Sequence, residues 1–358
     1  MKVALVYDRV NKWGGAERVL MALHELFPAA PLYTSVYNAK RAAWAKVFEV
    51  KTSFLQKLSA AHSNHEFIPF LMPLVVEHFS FDEYDLVISL TSEAAKGILT
   101  KPGTKHICYC LTPTRYLWSG YKDYLNTKVK QTLASPFISY LRKWDKLAAR
   151  RPDVFVAASE EVKQRIKKYY NQDADAVIYP PTNLKDKNGG DNKKNGDYFL
   201  VVSRFVPYKR IDLAIAACNA LRVPLKIIGR GREEGRLRAM AGKTVEFVGS
   251  VSDGQLITYY KNCKALIFPG VEDFGLTIIE AQMFGKPVIA FRGGGALETV
   301  VEGKTGSFFA KQTKEALKEI LITFNSKKFH PDTCKMQADK FSLRVFKEQF
   351  VKLVDRTI

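Results

Sequence analysis

Two carboxylates eight residues apart, Glu272 and Glu280, bracket the segment of this chain with the most chemistry in it. A strand-like run, Ala265-Leu266-Ile267-Phe268, is closed by Pro269-Gly270, and an apolar helical run begins at Leu276 and stops at Gly285. Glu272 therefore falls on a loop at the carboxyl end of a strand, and Glu280 about one turn into the helix that follows. Gly275 lets the backbone approach a ligand closely, and the first helical amides, around Phe274, Leu276 and Thr277, point outward as an anion site. A loop acid for sugar hydroxyls, free amides for phosphate and a helical acid for a ribose diol would together read a nucleotide-sugar. The same residues would also suit an ordinary strand-loop-helix turn, in which an early helical acid merely favours the dipole.

Two further clusters have the right types and places. Ser203-Arg204-Phe205-Val206-Pro207-Tyr208-Lys209-Arg210 follows the first strand of the second half. Arg204 offers a planar fork and Lys209 a point charge, which suits gripping a diphosphate and stabilising its departure. In the first half, Gly14-Gly15-Ala16 follows strand one and opens a helix, so the backbone at Gly15 could approach a phosphate. Three other motifs only imitate nucleotide or metal sites. Gly229 to Gly235 misses the dinucleotide spacing by one residue, Gly303-Lys304-Thr305 is preceded by Glu298 where a P-loop needs glycine, and Asp173-Ala174-Asp175 reads as solvated surface.

The elements that must position these residues alternate between strand and helix. Expected strands are Lys2–Tyr7, Leu86–Ser89, His106–Tyr109, Val154–Ala157 and Val177–Tyr179, then Tyr198–Ser203, Leu225–Ile228, Val245–Phe247, Ala265–Phe268 and Pro287–Phe291. Helical patterns occupy about Ala16–Phe27, the stretch opened by Ser159 as N-cap, Asp212–Leu221, Lys314–Phe324 and Leu343–Leu353. The polar run Lys185–Asp197 separates the two sets. This predicts an α/β chain of two Rossmann-like doubly wound parallel-sheet domains, 1–182 and 183–340, with ligands at the carboxyl ends of the strands in an interdomain cleft.

With 358 residues, of which 47% are apolar or aromatic, each half can bury its own core. No signal peptide is read at the N-terminus, and the greasiest stretch, Phe67–Val76, is broken by Pro69 and Pro73 and too short to span a bilayer. Five cysteines without a Cys-x-x-Cys pair, and His106 beside Cys108 and Cys110 with no second cluster, make a poor zinc site and suit reduced thiols in the cytoplasm. The net charge is +19, and the segment 115–168 holds 13 Lys/Arg against 5 Asp/Glu, interleaved with Tyr116, Trp118, Tyr121, Tyr124, Phe137, Tyr140 and Trp144. That mixture suits an anionic membrane surface, and equally a solvated helix face; no nucleic-acid reader module accompanies it.

Taken together, Arg204/Lys209, the Glu272/Glu280 spacing and the glycine turn on strand one resemble the family 4 retaining glycosyltransferases of the GT-B fold. Tyr109-Cys110-Leu111-Thr112-Pro113-Thr114-Arg115-Tyr116-Leu117-Trp118, Gly293-Gly294-Gly295-Ala296-Leu297-Glu298 and the Phe341…Phe346 helix extend the likeness over nearly the whole chain. The resemblance implies that helix 341–358 returns to the first domain. It implies Arg204 and Lys209 on the donor diphosphate, Glu272 on sugar hydroxyls, Glu280 on ribose and Gly15 facing phosphate. Retention of configuration by front-face substitution, with no cofactor and no obligatory metal, is also implied. The donor would be a GDP-, UDP- or dTDP-sugar and the acceptor a lipid-linked or cell-envelope glycan, at the inner face of the plasma membrane. Leu111 stands where the family usually has His beside the transferred sugar. Either an apolar 6-deoxy sugar meets Leu111, or Thr112 or Thr114 takes over and the donor is an ordinary hexose. A nucleotide-sugar epimerase of similar architecture and a non-enzymatic basic peripheral protein are the competing readings.

Overall fold

A computed structural model describes residues 1–57, 69–121, 128–182, 184 and 196–358, so residues 185–195 of the polar linker run fall outside it. The chain divides into two compact units, Met1–Pro181 with Phe346–Ile358, and Thr182–Val345.

The first unit holds a seven-stranded sheet: β1 (Val3–Tyr7), β2 (Leu32–Thr34), β3 (Val50–Thr52), β4 (Leu86–Thr91), β5 (Lys105–Cys110), β6 (Val154–Ala157) and β7 (Ala176–Val177). Every pairing is parallel, in the order β3-β2-β1-β4-β5-β6-β7. All five residues of β1 and all six of β4 are buried, as a sheet covered on both faces requires. From Phe346 onward the terminal helix belongs to this unit: Phe346 and Phe350 lie 6.0 and 6.5 Å from the ring of Tyr109 on β5.

The second unit holds β8 (Phe199–Val202), β9 (Leu225–Ile228), β10 (Val245–Gly249), β11 (Ala265–Phe268), β12 (Val288–Phe291) and β13 (Gly306–Phe309). Their order, β10-β9-β8-β11-β12-β13, is also all parallel. Period-two alternation splits its core. Phe199, Val201, Ile227, Ala265, Ile267 and Ile289 face one layer of helices, and Leu200, Ile228, Leu266, Phe268, Val288 and Ala290 face the other. Each sheet reverses its winding once, between β1 and β4 and between β8 and β11. The carboxyl ends of those four strands are the places where such sheets take ligands.

Two local features follow directly from sequence. Ser159 caps the helix Glu160–Tyr170 by accepting from the Val162 amide at 3.1 Å, and Asn171 closes it in the left-handed region. The three-residue β2 and β3 carry no periodic signal of their own; β2 forms on the edge that β1 offers, and β3 on the edge of β2.

His106, buried on β5, has its Nε2 2.8 Å from the Ser89 hydroxyl. Burial, with Arg151 adding to it, pushes its pKa from 6.5 down to about 3. An unfolded chain takes up this proton below about pH 6.5, whereas the folded one does not until about pH 3. The residue's contribution is therefore complete above pH 6.5 and is lost as the pH falls toward 3. Urea denaturation between pH 7 and 4 should show stability falling by roughly 1 kcal/mol per pH unit from this source. His106→Gln should flatten the slope by that amount; an unchanged slope contradicts the assignment.

Candidate active site

At the reversal point of the second unit, β8 ends at Val202 and β11 at Phe268, and the loops leaving them meet. Pro207–Lys209 forms a single 3-10 turn, fixed by the Lys209 amide donating to the Val206 carbonyl at 3.1 Å. Lys209 is 9% exposed, and its ammonium forms an ion pair with the Glu272 carboxylate. Gly270 makes that approach feasible, because a Cβ there would sit 2.8 Å from the Tyr208 carbonyl and 2.9 Å from the Lys209 Cα. Arg204 is exposed on the same loop, its guanidinium donating to the Tyr208 hydroxyl at 3.1 Å.

The Glu272 loop is held from behind by the glycine triplet. Gly294 has φ +61° and would bring a Cβ to 2.4 Å from the Glu272 carbonyl; a Cβ at Gly295 would lie 2.3 Å from the Phe274 Cα. The Gly295 amide donates to that Glu272 carbonyl at 2.9 Å. No larger residue fits without moving the loop that carries Glu272. Gly275, at φ +92°, starts the helix Leu276–Met283 from the left-handed region, and no side chain caps it. The amides at Leu276 and Thr277 thus open this helix next to the Lys209–Glu272 pair in sequence.

Not every expected site residue is presented in the same way. The ring of Phe274 packs on Phe341 at 5.4 Å between centroids, and the residue is buried. Glu280 lies on the buried face of its helix, 3% exposed, accepting from the Tyr260 hydroxyl at 2.7 Å. Tyr260 is in turn stacked on Phe284 at 6.0 Å. The two glutamates are therefore not an open pair: Glu272 faces Lys209 and Glu280 is set inward. The glycines of Gly229-Arg230-Gly231 serve packing rather than a nucleotide, since a Cβ at either would strike the backbone of Ser203 or Phe205.

In the first unit Gly15 opens the helix Gly15–Leu26 after β1, and Glu17 in its first turn is buried, accepting from the Tyr7 hydroxyl at 2.7 Å. Leu111, just past β5, is half-buried, and Thr112 is buried. Thr114, the other threonine of the sugar-pocket expectation, is placed deeper. It is 1% exposed, and its hydroxyl lies 2.9 Å from Asp145 and 3.1 Å from the Glu93 carbonyl. That hydroxyl is committed to the interior.

The sequence reading missed the charged network behind these loops. Asp8, directly after β1, accepts from the amides of Ser92, Ala94 and Ala95 at 2.7 to 2.9 Å and so fixes the loop after β4. Glu93 pairs with Arg9 and accepts from the Tyr116 hydroxyl at 2.7 Å. Lys96 and Asp145, each 1% exposed, are 2.5 Å apart, and Asp145 also accepts from the Trp118 indole at 2.7 Å. Burial pulls the Lys96 pKa down, but the Asp145 carboxylate outweighs it and the net shift is upward. An acid immediately after a first parallel strand was the one legible clue; the Lys96–Asp145 pairing, 49 positions apart, left none.

With the geometry described, comparison places the chain. Residues 182–341 match the model of the family described as glycosyl transferases group 1. The match covers nearly all of the second unit, and the fold is GT-B. The α-1,3/1,6-mannosyltransferase ALG2 of Dictyostelium discoideum is 37% identical over 220 residues, 52% of this chain and 50% of the relative. The D-rhamnosyltransferase WbpZ of Pseudomonas aeruginosa is 27% identical over 199 residues, 52% of this chain and 51% of that one. The chain spans about half the length of the curated relatives it matches. Among solved structures, Anabaena HepE in complex with UDP and glucose superposes with a TM-score of 0.72 at 19% identity, covering 99% of this chain and 100% of that one.

The buried pair behind the first unit's loops gives a direct test. Lys96→Met leaves Asp145 buried without its cation and should cost about 3–5 kcal/mol in urea denaturation. Lys163→Met, at a half-buried surface position where the ammonium lies 3.9 Å from Glu160, should change stability by less than about 0.5 kcal/mol. A Lys96 loss no larger than the Lys163 one would mean the network does not support the fold.

Proposed function

We propose that this protein is a retaining glycosyltransferase that moves a hexose or 6-deoxyhexose from a nucleoside-diphosphate sugar to a lipid-linked or cell-envelope glycan. The observation that carries this reading is the Lys209–Glu272 ion pair at the strand reversal of the second unit, beside an uncapped helix start. A diphosphate arriving there meets Lys209, Arg204 and the amides of Leu276 and Thr277. Lys209 exchanges one anionic partner for another, and Glu272 is released to accept from sugar hydroxyls. As the bond from the anomeric carbon to the diphosphate oxygen breaks, charge grows on that oxygen. Lys209 and Arg204 stabilise it, largely buried Lys209 contributing about several kcal/mol as a preorganised donor and solvent-exposed Arg204 less. Glu280, held by Tyr260, is assigned to the ribose hydroxyls.

The chemistry as proposed uses no protein nucleophile and no metal. Relatives named for mannosyl and D-rhamnosyl transfer, and a structural neighbour that binds UDP and glucose, support a nucleotide-sugar donor. D-rhamnose is a 6-deoxy sugar, the type that an apolar Leu111 would accept. No helix among the described residues is long and apolar enough to cross a membrane. Attachment is assigned to the basic, aromatic segment 115–168, with Phe137, Tyr140 and Leu147 exposed on the helix Lys128–Ala148, at the cytoplasmic membrane surface.

Lys209→Ala and Glu272→Ala should each lower transfer per folded molecule by about a hundredfold or more, beyond the fall in Tm expected when either partner of the pair is left alone. Transfer within about threefold of the parent would discard the reading. A panel of UDP-, GDP- and dTDP-sugars measures the role of Leu111: 6-deoxy donors should be preferred, and clear preference for GDP-mannose or UDP-glucose would reject that role. Chelation should leave the rate unchanged.

A further inference from the structure

Beside the helix Lys128–Ala148 runs a groove of about 440 Å³ lined by Trp118, Tyr121, Ser135, Ile138, Ser139, Arg142, Lys143 and Lys146. Three cations converge on it, and among the described residues none of the three forms an ion pair. The nearest acid in sequence, Asp145, is 1% exposed and already occupied by Lys96, Thr114 and the Trp118 indole. Among the described residues that line it, the groove therefore has three cations and no carboxylate.

Its walls are fixed. Trp118 is tied through its indole N–H to buried Asp145 and stacked on Tyr169 at 5.3 Å with 23° between planes. Arg142 donates from Nε to the Leu117 carbonyl at 2.8 Å, and its guanidinium lies 5.4 Å from the Trp118 ring and 4.8 Å from Tyr121. Lys146 sits 5.4 Å from the same indole. A solvated lysine face has none of these restraints. Here a guanidinium fork is held in place by one backbone bond, made by Nε, and two aromatic rings. Ser135 and Ser139, one helical turn apart, add two hydroxyls.

We infer that this groove binds a phosphate group, and that its occupant is the phosphate or diphosphate of the acceptor. A planar fork and two ammonium groups match several anionic oxygens better than they match a single carboxylate. As an acceptor subsite the inference rests on the glycosyl-transfer reading; phosphate binding itself does not.

The test uses the full chain with Lys209→Ala as background, which removes the proposed donor-diphosphate contact, and inorganic pyrophosphate as probe. Calorimetry should still detect pyrophosphate binding, and Trp118 fluorescence should respond. Adding Lys143→Gln and Lys146→Gln, which leaves the internal bonds of Arg142 intact, should weaken binding by about tenfold or more. Exchanging the same charge at exposed Lys327 and Lys328 in the second unit should change it by less than about twofold. Equal losses in the two double variants, or no pyrophosphate binding in the background, overturn the inference. Sedimentation with phosphatidylglycerol and phosphatidylcholine vesicles distinguishes the source. Groove variants that lose pyrophosphate but still pellet with phosphatidylglycerol support an acceptor phosphate. Selective loss of both would assign the same site to a lipid headgroup and overturn the acceptor assignment. Loss of transfer in Lys209→Ala with intact groove binding keeps the two readings separate.

Discussion

A largely buried cation held against a partly buried carboxylate is the interaction around which the second unit is arranged. Bringing Lys209 and Glu272 out of water is costly, and their mutual attraction offsets the cost only while the two loops stay in contact. The sequence spends much of its unusual backbone on that contact. Gly270 clears the way for the 208–209 turn, Gly294 and Gly295 seat the Glu272 loop, and Gly275 turns the chain into its helix from a left-handed conformation. In the proposed reading the pair is a resting arrangement. The ligand's diphosphate replaces the carboxylate as the partner of Lys209, so little new desolvation is required when it binds.

The first unit solves a similar problem with side chains. Asp8 gathers three amides of the loop after β4, and Glu93, Lys96 and Asp145 tie that loop to the segment Thr114–Trp118 and to the long helix. Such buried networks stabilise only when every member is satisfied. Their effect here is to hold the loops after β1, β4 and β5 in one arrangement, and through Trp118 to fix a wall of the cationic groove.

Strands whose apolar residues alternate or run unbroken were legible from sequence. Val154–Ala157, Leu225–Ile228 and Ala265–Phe268 occur at the expected residues, and Ser159 caps the helix it was expected to cap. β2, β3 and β13 were not: Leu32–Thr34, Val50–Thr52 and Gly306–Phe309 have no unbroken apolar run, and pairing with a neighbouring strand rather than their own pattern makes them strands. The helix Glu234–Met240 was hidden inside a glycine and arginine run that imitates a phosphate loop. Lys209 and Glu272 could be singled out from sequence because each lies on a loop that leaves a strand, β8 or β11; that the two side chains pair was not legible. The inward turn of Glu280 and the committed hydroxyl of Thr114 were not, since each depends on a partner, Tyr260 or Asp145, that sequence spacing does not reveal.

The most direct measurement is a crystal structure of this chain with a bound nucleoside diphosphate. The account predicts diphosphate oxygens within hydrogen-bonding distance of the Lys209 ammonium and of the Leu276 and Thr277 amides, with Glu272 displaced from Lys209. A nucleotide seated elsewhere, over a Lys209–Glu272 pair that stays closed, would contradict it.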